Sequence, residues 1–374
     1  MKVLQLGKFY PVRGGVEKVM YDIMTGLASR GIDCDMMCAE LSGHGAINRV
    51  SEHSRLITCR TWVKAASTTI SPSMPVYLRR IASDYDIIHV HHPDPMAALA
   101  LYMSGYRGKV VLHWHSDIVK QRRLVRLYAP LQSWLLRRAD VVIGTTDDYI
   151  QESPFLAPVL DKTVCVPIGV EPMKPDYAGA TEIRNRYPGK TIVFFLGRLI
   201  GYKGVDQLVE AASKLPDNYV VLIGGSGPLR DQLESQILTL GLGHKVHMLG
   251  RIPDESLPAY YTACHLFCLP SVMKTEAFGV VQIEAMSLGK PIVATRIPGS
   301  GVSWVNAHKQ SGLNVPVRDA EALAKAILEI TKSHEKYSQY CDGAESRYHS
   351  LFTLDSMIAN CEKIYRLLLE KSHL

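Results

Sequence analysis

The 374-residue chain has no run of about 18 uncharged apolar residues, which excludes a spanning helix of ordinary length. Its first residues, Met1-Lys-Val-Leu-Gln-Leu-Gly7, form too short an apolar run for a signal peptide and are expected to enter a strand directly. Eight cysteines are scattered without a C-x-x-C pair, so neither a disulfide framework nor a zinc site is expected, and a reducing cytoplasm is the simplest setting. No Walker A segment, H-E-x-x-H or nucleophile elbow is present, and there is no low-complexity tract or short-period repeat. Two basic stretches, 53–83 and 118–139, contain no acidic residue. What remains is an ordinary globular composition, 47% apolar and 21% charged, long enough for two or three domains. A net charge of +6 suits an anionic partner without choosing among nucleotide, lipid headgroup and nucleic acid. With no recognisable nucleic-acid-binding module, nucleic acid is not expected as a partner.

Short runs rich in Val, Ile and Leu alternate with helical patterns. They predict strands at 2–7, 33–39, 54–59, 86–91, 109–114, 140–145, 162–167, 191–197, 219–224, 245–249, 266–270 and 291–295. Strands apolar on both faces, separated by helices, predict an α/β protein with two doubly wound parallel sheets. Ligands of such sheets bind beyond the carboxyl ends of the strands. Gly169-Val-Glu-Pro-Met-Lys-Pro-Asp-Tyr177 reads as a linker, followed by a helix at 181–187. The expected division is 1–170, 171–352 and a final helix within 353–374, with an apolar stripe at 354, 357, 358, 361, 364, 365 and 368.

The most informative segment is Glu276-Ala-Phe-Gly-Val-Val-Gln-Ile-Glu284, two carboxylates with seven residues between them. Glu276 is expected in a loop after a buried strand. Glu284 is expected inside a helix that starts at Gly279 and stops at Gly289, roughly 7–8 Å along the axis from Gly279. The free N–H groups at such a helix start suit a phosphate. With Pro270-Ser271 before it and Ala285-Met-Ser-Leu-Gly-Lys-Pro-Ile-Val-Ala-Thr295 after it, the segment resembles the paired-glutamate motif of the retaining glycosyltransferases of family 4.

That resemblance covers almost the whole chain and implies a GT-B fold: two Rossmann-like domains facing a cleft, with the last helix crossing back to the first domain. It also implies roles. Gly197-Arg198…Lys203-Gly204 resembles the segment that grips the donor diphosphate, where a forked guanidinium and a point-charge ammonium can stabilise a leaving pyrophosphate without a metal. Gly14-Gly15 matches a loop whose backbone lies by the donor phosphates, and tandem glycines permit close approach and positive φ. Gly227, in Gly224-Gly-Ser-Gly-Pro228, matches a loop near the nucleotide, while Arg251 and Ile252 match the base-contacting segment. Phe278 and Gly279 belong to the donor-binding turn; Glu276 orients the sugar and Glu284 the ribose. His115, in His113-Trp-His-Ser-Asp117, matches a histidine facing the reacting sugar; His113 lies on the same face of the strand, so the choice between the two stays open. His89, His91 and His92 end the preceding strand and are expected to border the cleft. Asp33-Cys-Asp35 spells a D-x-D but begins a strand and is expected to be structural, so no catalytic metal and no other cofactor is expected.

Within the family, His115–Gln121 and Gly301-Val-Ser-Trp-Val-Asn306 resemble bacterial mannosyl- and rhamnosyltransferases of O-antigen and exopolysaccharide assembly. The second segment departs from the commoner Gly-Gly-x-x-Glu loop, and Trp304 receives no role. The implied reaction is retaining transfer of a hexose, mannose from GDP-mannose as first choice, to a polyprenyl-diphosphate-linked saccharide. UDP- and dTDP-sugars remain alternatives. In the family retention is thought to proceed by front-face attack. Arg and Lys beside Trp and Leu in the two acid-free stretches suit an anionic bilayer, giving a peripheral protein at the inner face of the cytoplasmic membrane. Two other readings stay open. A sugar-nucleotide epimerase would act on the nucleotide sugar alone, and a non-catalytic sensor would have no need of His115.

Overall fold

Apolar strands and amphipathic helices alternate along the chain and assemble into two large sheets, one in each unit, besides a two-stranded ribbon in the first. The structure, a computed structural model, describes residues 1–12, 14–41, 44–65, 68–118 and 122–370. The chain divides into one unit of Met1–Gly169 together with the segment from Leu354 onward, and a second unit of Val170–Thr353.

The first unit carries β1 (Lys2–Tyr10), α1 (Gly15–Ser29), β2 (Asp33–Glu40), β3 (Ala46–Ser51), β4 (Ser54–Arg60), β5 (Val63–Ala65), β6 (Thr68–Ile70) and α2 (Ser73–Ile81). It continues with β7 (Ile87–His92), α3 (Pro95–Ser104), β8 (Lys109–Trp114), α4 (Arg122–Arg138), β9 (Val141–Gly144), α5 (Asp147–Glu152) and β10 (Thr163–Cys165). Its sheet order is β10-β9-β8-β7-β1-β2-β4-β3, parallel except for β3. Burial explains the composition: Val3, Leu4, Leu6, Ile87, Ile88, Val90, Val110, Val111 and Leu112 are all fully buried, because helices cover both faces of a parallel sheet. Local chemistry sets the helix ends. Asp94 caps α3 by accepting from the N–H groups of Met96 at 2.9 Å and Ala97 at 3.2 Å, Pro95 occupies the first helical position, and Gly105 closes the helix in the left-handed region.

The second unit carries α6 (Tyr177–Arg186), β11 (Thr191–Leu196), α7 (Val205–Ser213), β12 (Tyr219–Gly224), α8 (Arg230–Thr239), β13 (Val246–Gly250), α9 (Leu257–Ala263) and β14 (Leu266–Leu269). Then follow α10 (Val280–Met286), β15 (Ile292–Arg296), α11 (Val302–Val305), β16 (Gly312–Pro316), α12 (Ala320–Ile330) and α13 (His334–Leu351). Its sheet, β13-β12-β11-β14-β15-β16, is wholly parallel. The last helix, α14 (Leu354–Glu370), belongs to the first unit. Its stripe of Leu354, Met357, Ile358, Cys361, Tyr365 and Leu368 is buried. Ile358 presses so closely on α1 that a Cβ at Gly26 would lie 2.0 Å from its Cδ1.

Four strands fall outside the expected set: β3, β5, β6 and β16. The helix expected at 181–187 begins earlier, because Asp176 in the expected linker accepts from Gly179 N at 2.9 Å and caps it.

Candidate functional site: the strand ends of the second unit and a histidine face in the first

In the second unit the expected donor-binding segments leave the carboxyl ends of four neighbouring strands. Arg251 and Ile252 follow β13, Gly227 follows β12, Gly197 to Lys203 follow β11, and Glu276 to Gly279 follow β14. The chain passes from β11 to β12 on one side and returns with β14 on the other, so β11 and β14 flank the point where the winding reverses and their loops diverge.

Lys203 and Glu276 meet across that point. The ammonium donates to Glu276 Oε2 at 2.5 Å, and the two side chains are only 10% and 11% exposed. Ser271 Oγ donates to the same oxygen at 3.0 Å, and Ser300 Oγ donates to the Glu276 carbonyl. The sequence reading gave Lys203 and Glu276 to different parts of a donor; the structure makes them one ion pair. Close approach of the loops is built in: a Cβ at Gly204, at φ +63°, would fall 2.1 Å from Pro270 O. A Cβ at Gly225, at φ +130°, would fall 1.8 Å from Gly197 O. A Cβ at Gly227 would fall 2.4 Å from Leu199 O.

Arg198 is exposed and donates to Tyr202 Oη at 3.1 Å. Glu284 lies on α10 and accepts from the buried Tyr261 hydroxyl at 2.8 Å. Burial and the neighbouring carboxylate push that tyrosine's pKa far up, so it stays a donor. Gly279 takes the left-handed conformation at φ +77° immediately before α10. The helix is shorter than expected, ending at Met286, although Gly289 does close the following turn at φ +62°. Two side chains in the expected donor-binding segments are buried, which leaves the backbone contact expected around Arg251 and Ile252 as it was. Phe278 points into the core, edge-on to Phe352 at 5.9 Å, and the Ile252 side chain is also buried. Arg251 is exposed.

In the first unit His115 follows β8 and is 5% exposed. Its Nε2 lies 2.9 Å from His91 Nδ1, and His91 Nε2 lies 2.8 Å from Gln5 Oε1. His113 points to the same face, as period two requires, and stacks on His115 at 4.0 Å. Among the described residues neither His113 nitrogen finds a partner. His89, His91 and His92 do not border open space: all three are fully buried, His92 stacked on Trp114 at 3.6 Å. Burial holds all five imidazoles neutral: His92 and His113 titrate at about 3, and His89, His91 and His115 well below their ordinary value. The glycine loop also differs from expectation. Gly14 is extended at φ −140° and caps α1; the positive φ values fall earlier, on Gly7 at +139° and Lys8 at +58°.

Two groups of possible metal ligands have internal partners. His89, His91 and His113 bring ligand atoms within 4.8 Å of one another. A tetrahedral ion with nitrogens at about 2.0–2.1 Å draws them to roughly 3.4 Å, and both His91 nitrogens are already engaged. In the D-x-D, Asp35 pairs with Arg55 at 2.7 Å and Tyr85 at 2.6 Å while Asp33 pairs with His53 at 2.8 Å, so the carboxylates serve different partners. Sequence reasoning missed Gln5, His91 and Tyr365 as partners around the histidines, and Ser271, Ser300 and Tyr261 as partners of the glutamates. None carries a local signature, because each contact joins distant segments.

Comparison with known proteins agrees with this geometry. The two-sheet architecture is that of GT-B glycosyltransferases. A sucrose-phosphate synthase from Thermosynechococcus elongatus superposes with a TM-score of 0.79 at 22% identity, covering 99% of this chain and 100% of that one. WaaG, a glycosyltransferase involved in lipopolysaccharide biosynthesis, gives 0.69 at 17% identity over 98% and 99%. Residues 13–172 match the family "Glycosyltransferase Family 4" and residues 180–347 match "Glycosyl transferases group 1". The O-antigen chain mannosyltransferase C of Escherichia coli is 32% identical over 99% of both chains, and the D-rhamnosyltransferase WbpZ of Pseudomonas aeruginosa is 31% identical over 94% of this chain and 92% of its own. The chain belongs to family 4 of the glycosyltransferases.

Proposed function

We propose that this glycosyltransferase moves mannose from GDP-mannose, with retention, to a saccharide carried on a polyprenyl diphosphate during O-antigen or related lipopolysaccharide synthesis. The two relatives' names, a mannosyltransferase and a rhamnosyltransferase, support a hexose of this kind. The observation that carries the chemistry is the Lys203–Glu276 pair at the switch point, with Arg198 on the same loop and Glu284 on the helix beyond. A donor diphosphate arriving there offers Lys203 and Arg198 anionic oxygens, and the two cations take up the charge of the departing nucleotide, the role a metal plays elsewhere. Glu276 then accepts from sugar hydroxyls and Glu284 from the ribose. The leaving phosphate takes the acceptor's proton on the face it vacates.

The acceptor reading places the first unit against an anionic membrane. Trp62 and Leu127 are 72% and 80% exposed, Ile70 and Val76 are exposed on β6 and α2, which pack on α3, and Tyr102 and Met103 are exposed on α3 itself. Arg79 and Arg80 on α2 and Arg126 on α4 are exposed as well. Apolar side chains ringed by cations suit a headgroup interface. Lys120 and the side chains of Arg122, Arg123 and Leu124 lie outside the described residues. Among the described residues no helix is long and apolar enough to cross a membrane.

The test is turnover with GDP-, UDP- and dTDP-hexoses, each with and without a synthetic polyprenyl-diphosphate saccharide. Acceptor-dependent release of GDP from GDP-mannose is the expected result. Conversion of the donor without acceptor would identify an epimerase instead, and preferred use of a UDP- or dTDP-sugar would overturn the choice of donor.

A further inference from the structure

We infer that Gln5, His91 and Tyr365 form a relay that fixes the tautomer of His115, making the C-terminal helix a positioning element of the reacting strand end. The relay starts at the Gln5 amide on β1. Its Nε2 faces the Tyr365 hydroxyl at 3.3 Å and Cys34 Sγ at 3.6 Å, which leaves Oε1 toward His91 Nε2 at 2.8 Å. A carbonyl oxygen only accepts, so His91 Nε2 carries the proton. A neutral imidazole holds one such proton, so His91 Nδ1 is a bare acceptor. His115 Nε2, 2.9 Å away, must then donate to it. His115 is left with an unprotonated Nδ1, closed off from solvent and without a partner among the described residues. Tyr365, itself fully buried, sets the direction of the whole chain: by accepting from the Gln5 amide it turns its own proton toward His89 Nδ1 at 2.6 Å.

Among the described residues unpartnered ring nitrogens recur in this cluster, at His89 Nε2 and at both nitrogens of His92 and His113, so it is the place of His115 just past the carboxyl end of β8 that singles out its Nδ1 as the acceptor a substrate donor would meet. Resting on the transferase reading above, that donor is a hydroxyl of the saccharide substrate. The opposite tautomer would present N–H at the same atom and would meet the hydroxyl oxygen instead. The relay therefore decides how the ring can hold the sugar. His91, Gln5 and Tyr365 act through His115 and are positioning residues.

Nitrogen-15 correlation spectra of histidine-labelled full-length protein test the relay without reference to activity. His115 is assigned by the signals lost in His115→Gln. The expected result is one Nε2–H tautomer at both His91 and His115 in the wild type, and a second set of His115 signals in Tyr365→Phe and Gln5→Met. An Nδ1–H tautomer at His115 in the wild type, or unchanged spectra in both variants, overturns the relay. Kinetics then test the use made of it. His91→Leu should lower kcat at least about tenfold with little change in donor KM, and His91→Asn, which keeps a carbonyl acceptor for His115 Nε2–H, should recover most of it. Equal loss in both, with melting temperatures at the wild-type value, overturns the positioning role. If no nucleotide sugar is used at all, the transferase reading fails while the spectra still judge the relay.

Discussion

Mild acid should unfold the first unit before the second. His89, His91, His92, His113 and His115 are buried in one unit and held neutral by loss of hydration, His92 and His113 pushed down to about 3 and the other three well below their ordinary value. In the unfolded chain each regains an ordinary pKa near 6.5. A base whose pKa is depressed by folding stabilises the fold above the unfolded value and loses that contribution as pH falls through it, because the unfolded state takes up protons that the folded state refuses. At pH 7.5 the cost per histidine is below about 0.1 kcal/mol; at pH 5.5 it is about 1.4 kcal/mol, since the unfolded form is then tenfold protonated over neutral. Five such groups amount to about 7 kcal/mol, comparable to the whole stability of a typical domain at roughly 5–15 kcal/mol. Carboxylates of ordinary pKa do not change charge over this interval and give no offset. In the second unit burial lowers His265 to about 4 and also lowers the less buried His247 and His308. Urea denaturation at pH 7.5, 6.5 and 5.5, read by hydrogen exchange in β7 and β8 against β11 and β12, measures the difference. His92→Phe, filling the flat slot against Trp114, should remove about 1.4 kcal/mol of it. A midpoint flat across the interval, or earlier loss of protection in the second unit, refutes the reasoning.

Three further outcomes follow from the site. Gly225→Ala forces a side chain to φ +130° with its Cβ on the Gly197 carbonyl, and should cost roughly 2–4 kcal/mol and lower the melting temperature by about 5–15 °C in a thermal scan. Tyr261→Phe removes the hydroxyl that fixes Glu284 and should raise donor KM about tenfold, with a smaller change in kcat, in initial-rate kinetics. Trp62→Ser with Leu127→Ser should weaken co-sedimentation with phosphatidylglycerol vesicles while transfer to a short-chain soluble acceptor persists; unchanged vesicle binding would remove that face from the membrane.

The parallel strands were legible because burial on both faces writes itself as runs of Val, Ile and Leu, and because glycines at 279 and 289 mark where a chain can turn left-handed. The strands that escaped lack that signal for physical reasons. β3 is exposed along its whole length, so no apolar pattern records it. β16 contains Gly312 and Asn314 and ends in Pro316, which an edge strand tolerates because one side needs no ladder bonds. At the site, spacing along the chain could name Glu276 and Lys203 but not join them. Their contact depends on β11 and β14 being neighbours, a fact of topology. The histidines show the same limit from the other side. Alternation at 89, 91, 113 and 115 predicts a shared face, whereas their complete burial depends on how the helices cover that face.

The ion pair changes how the phosphate-binding lysine has to be tested. Viewed as an isolated cation, Lys203 could be removed with the fold intact, and the loss of turnover would measure its work on the leaving group. Paired with Glu276 in a site about nine-tenths buried, it cannot. Lys203→Ala leaves Glu276 with Ser271 as its remaining side-chain donor among the described residues and a charge largely shut away from water, a situation that costs about 3–5 kcal/mol in buried pairs. Part of any activity loss would then be disorder of the Glu276 loop. Lys203→Met with Glu276→Gln removes both charges and keeps both shapes, so it should restore the melting temperature that either single change lowers. Turnover should stay down by about 100- to 1,000-fold if Lys203 stabilises developing phosphate charge. Stability restored together with turnover would mean that the pair only holds two loops in place, and the charge-stabilising role would pass to Arg198 alone.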